Sequence, residues 1–183
     1  MKVLPLESER LVIRQFAKEE AHLLASLASD RNLIFGDMSY PYTLQHAKDW
    51  LRISEVRDDM YYYAIVEKKT DRIVGNIWIS HVRNDRTVDD GCLSYGLCAE
   101  ARGKGYATEA VRRIIEFAFS EMKLDKLRAE TKGTNLASHN VLSKLGFSCV
   151  KKIKDFQRDR FTNKSEDKWF WELKNEDKNS KKI

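Results

Sequence analysis

Cysteine is scarce in this chain, with Cys92, Cys98 and Cys149 the three present. An odd, scattered set of thiols excludes a disulfide framework and offers no metal-ligand spacing, so no metal is expected and each thiol is expected to be free and buried. Long apolar runs are missing too, and none approaches the roughly 20 residues that a membrane-crossing helix needs. The first ten residues carry Glu7, Glu9 and Arg10 and no apolar core, which argues against a leader and predicts a soluble, cytoplasmic protein with no membrane partner. Two phosphate-binding signatures are also lacking. G-x-x-x-x-G-K-[ST] of nucleotide-hydrolysing loops does not occur, and in G-x-G-x-x-G the third glycine position holds Thr108. There is no internal repeat and no linker before the last residues.

What the chain does carry is 183 residues, enough for one domain burying roughly 70% of the surface exposed by the unfolded chain. Residues 1–174 are read as that domain, and the Lys-, Asn-, Asp-, Glu- and Ser-rich stretch 175–183 as a disordered tail. The net charge of +5 suits nucleic acid, an acidic ligand or simple solubility. The 28 acidic residues are interspersed with the basic ones and no nucleic-acid motif occurs, so a nucleic-acid partner is not expected despite Lys151, Lys152 and Lys154.

Hydrophobic spacing gives the element order. A strand is expected over Arg10 to Phe16, and a helix over Lys18 to Ser29 with Ala21, Leu24, Leu27 and Ala28 as its apolar stripe. Leu33 to Tyr42 reads as a loop, after which Thr43 can cap a helix from Leu44 to about Arg57. Tyr61 to Lys68 and Ile73 to Ser80 form a hairpin pattern, followed by a polar loop from His81 to Asp90 and an apolar strand from Cys92 to Ala99. A helix to about Met122 carries Val111, Ile114, Ile115 and Ala118 inward, with Glu109 and Arg113 paired four apart on its surface. Lys126 to Thr131 then reads as a parallel strand, Asn135 to Lys144 as a helix, and Phe147 to Ile153 with Lys168 to Lys174 as a closing antiparallel pair.

Between the apolar strand and the long helix lies Arg102-Gly103-Lys104-Gly105-Tyr106-Ala107. A strand, a glycine turn and a helix start in that order collect free N–H groups and a positive helix end around one point, with Arg102 and Lys104 beside it. Backbone approaches a phosphate closely only where no Cβ intervenes, and glycine also accepts φ > 0 in the turn. The stretch is an anion cradle, or else a solvated turn with two cations. A second segment, Asn135-Leu136-Ala137-Ser138 followed by Val141-Leu142-Ser143-Lys144-Leu145-Gly146-Phe147, lies about 30 residues downstream.

R-x-x-G-x-A opening a helix, then N-x-x-S before K-L-G-F, resembles the GNAT superfamily of acyl-CoA-dependent N-acetyltransferases. The start Glu9-Arg10-Leu11-Val12-Ile13-Arg14 and the block Gly103 to Ala110 resemble its ribosomal-protein N-terminal acetyltransferase branch. The resemblance implies an α/β fold, a mixed twisted sheet of about seven strands with about four helices, in which two central parallel strands splay apart around CoA. It implies acetyl-CoA as co-substrate, with its pyrophosphate on the backbone of Arg102, Gly103, Lys104, Gly105, Tyr106 and Ala107. The strand end at Leu97, Cys98 and Ala99 would pair with the pantetheine arm and polarise the acetyl carbonyl. Asn135 would bond the pantetheine, or act as a plain helix cap, and the two roles are compatible.

Many family members place a tyrosine acid seven residues after that asparagine, where this chain has Leu142. Ser138 stands where the branch has a serine that stabilises or protonates the thiolate, so it takes that role by resemblance, with a helix-start hydroxyl as the plainer alternative. Base candidates are weak. Glu130 is one, although its alternation with Leu127 and Ala129 also makes it a solvent-face charge. Asp89 and Asp90 fit a turn, Cys92 occupies the place of a glutamate in related enzymes, and His139 reads as a surface histidine. Tyr40, Tyr42 and Trp78 are candidate walls of the acceptor pocket. The acceptor implied is an amine, first the α-amino group of a peptide or protein, with polyamines, amino acids and antibiotics as alternatives. A non-catalytic acetyl-CoA-binding module is a further alternative, and the resemblance also allows a homodimer.

Overall fold

The computed structural model describes residues 5–30, 41–57, 59–84, 88–159 and 161–176. They form eight strands and four α-helices, and the hydrogen-bonded strand order is β1-β2-β3-β4-β5-β6-β8-β7. Residues cluster into two compact units, Met1–Ser80 with Tyr95–Arg113 and His81–Ser94 with Ile114–Ile183.

In the first unit, β1 (Leu6–Glu7), β2 (Leu11–Gln15), β3 (Met60–Glu67) and the start of β4 (Arg72–Asn84) run antiparallel, with Leu6 opposite Ile13, Ile13 opposite Ile65 and Tyr63 opposite Ile77. Leu11 and Ile13 are fully buried while the alternate residues Val12 and Arg14 are not, the period-2 alternation that marks β2 as a strand. A single 3-10 turn, Lys18–Glu20, precedes helix α1 (Ala21–Ala28), which is shorter than the periodicity predicts. Helix α2 (Leu44–Val56) begins as expected. The Thr43 hydroxyl accepts the His46 N–H at 3.2 Å, and His46 Nδ1 accepts the Thr43 N–H at 3.1 Å, a reciprocal cap in which histidine replaces the usual glutamate. The two helices turn Leu24, Ala28, Ala47 and Leu51 onto Tyr62, Ala64 and Val66 of β3. Each buried leucine there is worth roughly 1.5–3 kcal/mol.

The end of β5 (Val88–Leu97) lies beside β4 in this unit. A Cβ on Gly75 would stand 2.2 Å from the Gly96 carbonyl oxygen, so this contact admits glycine alone. Past it, the Cys98 N–H donates to the Val74 carbonyl at 3.0 Å. Helix α3 (Tyr106–Ser120) then buries Val111, Ile114 and Ala118 as the spacing predicts, leaves Ile115 half-buried against that expectation, and buries Phe117 in addition.

In the second unit the start of β5 pairs in parallel with β6 (Lys126–Lys132), Asp90 opposite Lys126 and Cys92 opposite Arg128. Strand β8 (Ser165–Lys174) pairs antiparallel with β6, and β7 (Ser148–Arg158) with β8. Helix α4 (Leu136–Lys144) ends in a Schellman motif: the Gly146 N–H donates to Ser143 O at 3.1 Å, and the Phe147 N–H to Leu142 O at 3.0 Å, with Gly146 at φ +87°. The K-L-G-F segment is thus a helix stop in physical terms.

Several expectations shift. The polar loop over His81 to Asp90 is largely strand, since β4 runs to Asn84 and β5 starts at Val88. Strands β7 and β8 are both longer than their apolar cores. Eight strands form where about seven are expected. The three cysteines are free as predicted, and half-buried where burial was expected. Asn175, expected in the tail, is docked: its N–H donates to Asp125 O at 2.9 Å and its amide to Leu124 O at 3.0 Å. Residues 177–183, Tyr40 and most of the loop from Leu33 lie outside the described residues.

Candidate active site

Gly103 and Gly105 both sit in the left-handed region, at φ +76° and +82°. A Cβ at Gly103 would meet nothing within 4 Å, so the protein leaves open the space above that backbone. Arg102, Gly103, Lys104 and Gly105 are exposed. Among the described residues the N–H groups of Gly103, Lys104 and Gly105 donate to no backbone carbonyl. Tyr106 and Ala107 stand in the first turn of α3, whose N–H groups have no partner within the helix. A turn of this kind can hold a phosphate or pyrophosphate on backbone alone.

The side chains beside it divide. Arg102 folds back, donating from Nε to the Leu97 carbonyl at 3.0 Å and pairing with Asp30 at 2.6 Å. Its charge is thus partly spent inside the protein. Lys104 remains the exposed cation of the turn.

Arg10, on the approach to β2, holds the turn from outside. Its guanidinium pairs with Glu109 at 2.6 Å, donates to the Lys104 carbonyl at 3.0 Å and lies 4.7 Å over the Tyr106 ring, while its N–H donates to Glu109 at 2.7 Å. The surface pair of Glu109 with Arg113 predicted from spacing does not form: Arg113 Nε donates to Glu7 O at 3.1 Å. Burial alone would raise the Glu109 carboxyl, and the donors of Arg10 and Ser8 reverse this and hold it below its usual range. The Tyr106 hydroxyl donates to Glu67, whose other oxygen accepts from Thr70 at 2.5 Å. Arg10 with Glu109 and Tyr106 with Glu67 lie 99 and 39 positions apart, so nothing in local spacing announces them.

Of the strand end Leu97, Cys98 and Ala99, the Cys98 N–H is already committed to Val74. That N–H is therefore not available to an acyl carbonyl. On the neighbouring β3–β4 face, Tyr42 is buried, with its hydroxyl donating to His46 O at 3.4 Å and its pKa pushed up to about 12 by burial. Trp78 is half-buried and packs on the same cluster. Sequence reading missed Asn76, a buried amide on that face.

The remaining named residues belong to the second unit. The Asn135 side chain accepts the Ser138 N–H at 3.1 Å and caps α4. Ser138 is half-buried at that helix start. His139 is buried, against the surface position expected of it. Its ring stacks on Trp169 at 4.2 Å and its Nε2 lies 3.0 Å from the Thr131 hydroxyl and 3.1 Å from Lys132 O. Leu142, three residues on, is fully buried, and that i, i+3 pair was the available signal for the inward face of α4. Glu130 is exposed and pairs with Lys168 at 2.6 Å. Asp90, expected in a turn, is a buried strand residue paired with Lys126 at 3.6 Å and with Arg128. Burial, and secondarily the charge of Glu130, raises the Cys92 thiol. No group of acidic, histidine and cysteine side chains that could hold a metal occurs among the described residues, and no helix among them is long and apolar enough to cross a membrane.

Residues 10–148 match the acetyltransferase (GNAT) domain family. The uncharacterized N-acetyltransferase p20 of Bacillus licheniformis is 25% identical over 157 residues, 84% of this chain and 87% of that protein. Among solved structures, the ribosomal-protein-S5-alanine acetyltransferase of Vibrio fischeri superposes with a TM-score of 0.81 at 22% identity, over 96% of this chain and 98% of that one. The spermidine N-acetyltransferase of Vibrio cholerae, solved with CoA and spermine, gives 0.80 at 12% identity, over 92% and 98%. These last two likenesses are of fold.

Proposed function

Because this chain belongs to the GNAT acetyltransferase family, we propose that it transfers the acetyl group of acetyl-CoA directly to an α-amino group of a peptide or protein. The observation that carries the reading is the exposed turn with two left-handed glycines and three N–H groups that donate to no backbone carbonyl among the described residues, which fits a CoA pyrophosphate. In this reading Arg102 to Ala107 hold the pyrophosphate, Lys104 supplies the free charge, and Asn135 bonds the pantetheine.

The amine nitrogen attacks the thioester carbon, an N–C bond forms, the C–S bond breaks, the amine proton leaves to water or a base, and the thiolate takes a proton. Ser138 is assigned to the thiolate, and Glu130 to the proton of the amine through water. Neither is a strong base, and this favours an α-amine. Deprotonating a lysine-like amine near neutral pH costs about 4 kcal/mol, whereas an α-amine with pKa near 8 costs about 1 kcal/mol. Tyr42 and Trp78 line the acceptor side.

Thiol release from acetyl-CoA, measured with peptides bearing free Ser, Ala or Thr N-termini, polyamines, amino acids and aminoglycosides, tests the reading. Release with the peptides is expected. Gly105→Glu, which forces a side chain onto φ +82° at 3.4 Å from Arg10, should abolish acetyl-CoA binding. Tight acetyl-CoA binding with no turnover on any amine, or binding unchanged in that variant, would overturn it.

A further inference from the structure

We propose that Asn76 is the hydrogen-bond acceptor for the substrate amine, and that its surroundings select a neutral amine on a peptide over a polycation. The inference rests on the acetyltransferase reading above and extends it to a residue and an acceptor class.

Asn76 is 8% exposed on β4. Its Nδ2 donates to the Tyr62 hydroxyl at 2.5 Å, which fixes the amide, and its Oδ1 is buried without a donor among the described residues. A buried carbonyl oxygen left unpaired is costly, and native structures keep few of them. Through Tyr62 the amide joins an aromatic cluster. The β3–β4 register sets Ala64 opposite Asn76 and Tyr62 opposite Trp78. Phe16 stacks on Tyr62 at 5.7 Å and Trp50 meets it edge-on at 5.9 Å. Tyr42 completes the cluster, and none of these side chains carries a charge.

Position along the strand matters as much as chemistry. Val74, two residues before Asn76, accepts the Cys98 N–H, and Gly75 abuts Gly96. Asn76 therefore lies beside the Leu97–Ala99 segment assigned to the acyl end of acetyl-CoA. A neutral amine has N–H donors to spare and one lone pair for attack. Giving one N–H to Oδ1 positions the nitrogen and leaves its lone pair free. An ammonium would bury its charge here against Tyr62, Trp78, Phe16, Trp50 and Tyr42, with no carboxylate among the described residues of the cluster, and burial drives such a group towards its neutral form. An α-amine makes that change far more readily than a polyamine does.

The test uses the full chain with Asn76→Leu and Asn76→Asp beside the wild type. Acetyl-CoA Kd is measured by calorimetry, and kcat and KM with a Ser-, Ala- or Thr-terminated peptide and with spermidine. Asn76→Leu should leave the acetyl-CoA Kd unchanged and raise the peptide KM about three- to tenfold, the worth of one hydrogen bond from a neutral donor. Asn76→Asp, nearly identical in shape, should shift kcat/KM from peptide towards spermidine, and it carries the test alone if the leucine variant does not fold. Unchanged peptide KM and unchanged preference in a wild-type-like fold would overturn the inference and leave the acetyltransferase reading standing. So would a wild type that acetylates spermidine alone. A wild type that binds no acetyl-CoA would overturn that reading and this inference with it.

Discussion

Arg10 shows how a single residue can shape a site it does not line. Four contacts converge from it on the start of α3: the Glu109 pair, the Lys104 carbonyl, the Tyr106 ring and its own N–H to Glu109. Removing the side chain should cost stability only modestly, roughly 1 kcal/mol, because the guanidinium is 44% exposed and exposed ion pairs are weak. Its effect on ligand binding should be larger. Lys104 and Gly105 lose the group that fixes their carbonyl and Cα, and preorganised N–H donors lose alignment. Arg10→Ala is therefore expected to weaken acetyl-CoA binding several-fold with little change in peptide KM, a split that calorimetry and steady-state kinetics would resolve. Equal losses for both substrates would show a general loss of fold. The same reasoning ranks the turn's cations. Arg102 is tied to Asp30 and Leu97, so Lys104→Ala should cost more acetyl-CoA affinity than Arg102→Lys.

Helix α4 marks both the reach and the limit of sequence reading at the scale of elements. Its start and stop were legible, because Asn135 is a capping residue and Gly146 supplies the positive φ of a Schellman end, both local chemistry. The partners of its inward histidine were not, since Thr131, Trp169 and Trp171 come from β6 and β8. Likewise β4 and β5 extend into a segment whose polar residues mimic a loop, and the Arg10–Glu109 pair spans 99 positions. The buried histidine predicts a pH dependence. Burial lowers its pKa from the ordinary 6.5, so the unfolded chain takes up the proton first as pH falls. Stability is full above about 6.5, declines between that value and the lower folded one, and levels off beneath it. Midpoints of thermal unfolding across pH 7.5 to about 5 should fall more steeply for the wild type than for His139→Gln. Parallel curves would assign the acid sensitivity to other groups.

For the whole molecule, the family assignment turns the backbone cradle into a statement about stability. A ligand that binds the folded chain and not the unfolded one stabilises it by RT ln(1 + [L]/Kd), about 2.7 kcal/mol at a hundred times Kd. For a chain of 183 residues each kcal/mol moves Tm by roughly 2–4 °C. Saturating acetyl-CoA should thus raise Tm by roughly 5–10 °C, and CoA, which keeps the pyrophosphate, should retain most of that shift. Gly105→Glu should remove it for both ligands, whereas Asn76→Leu should leave it intact, because Asn76 is assigned to the amine and not to the nucleotide. In the proposed reading the cradle relies more on backbone N–H groups than on side-chain cations. Its affinity should therefore fall less with added salt than that of a site built from several lysines, whose binding depends on counterion release. A steep salt dependence, with the Tm shift surviving Gly105→Glu, would move the anion site away from this turn and onto the basic side chains elsewhere on a chain of net charge +5.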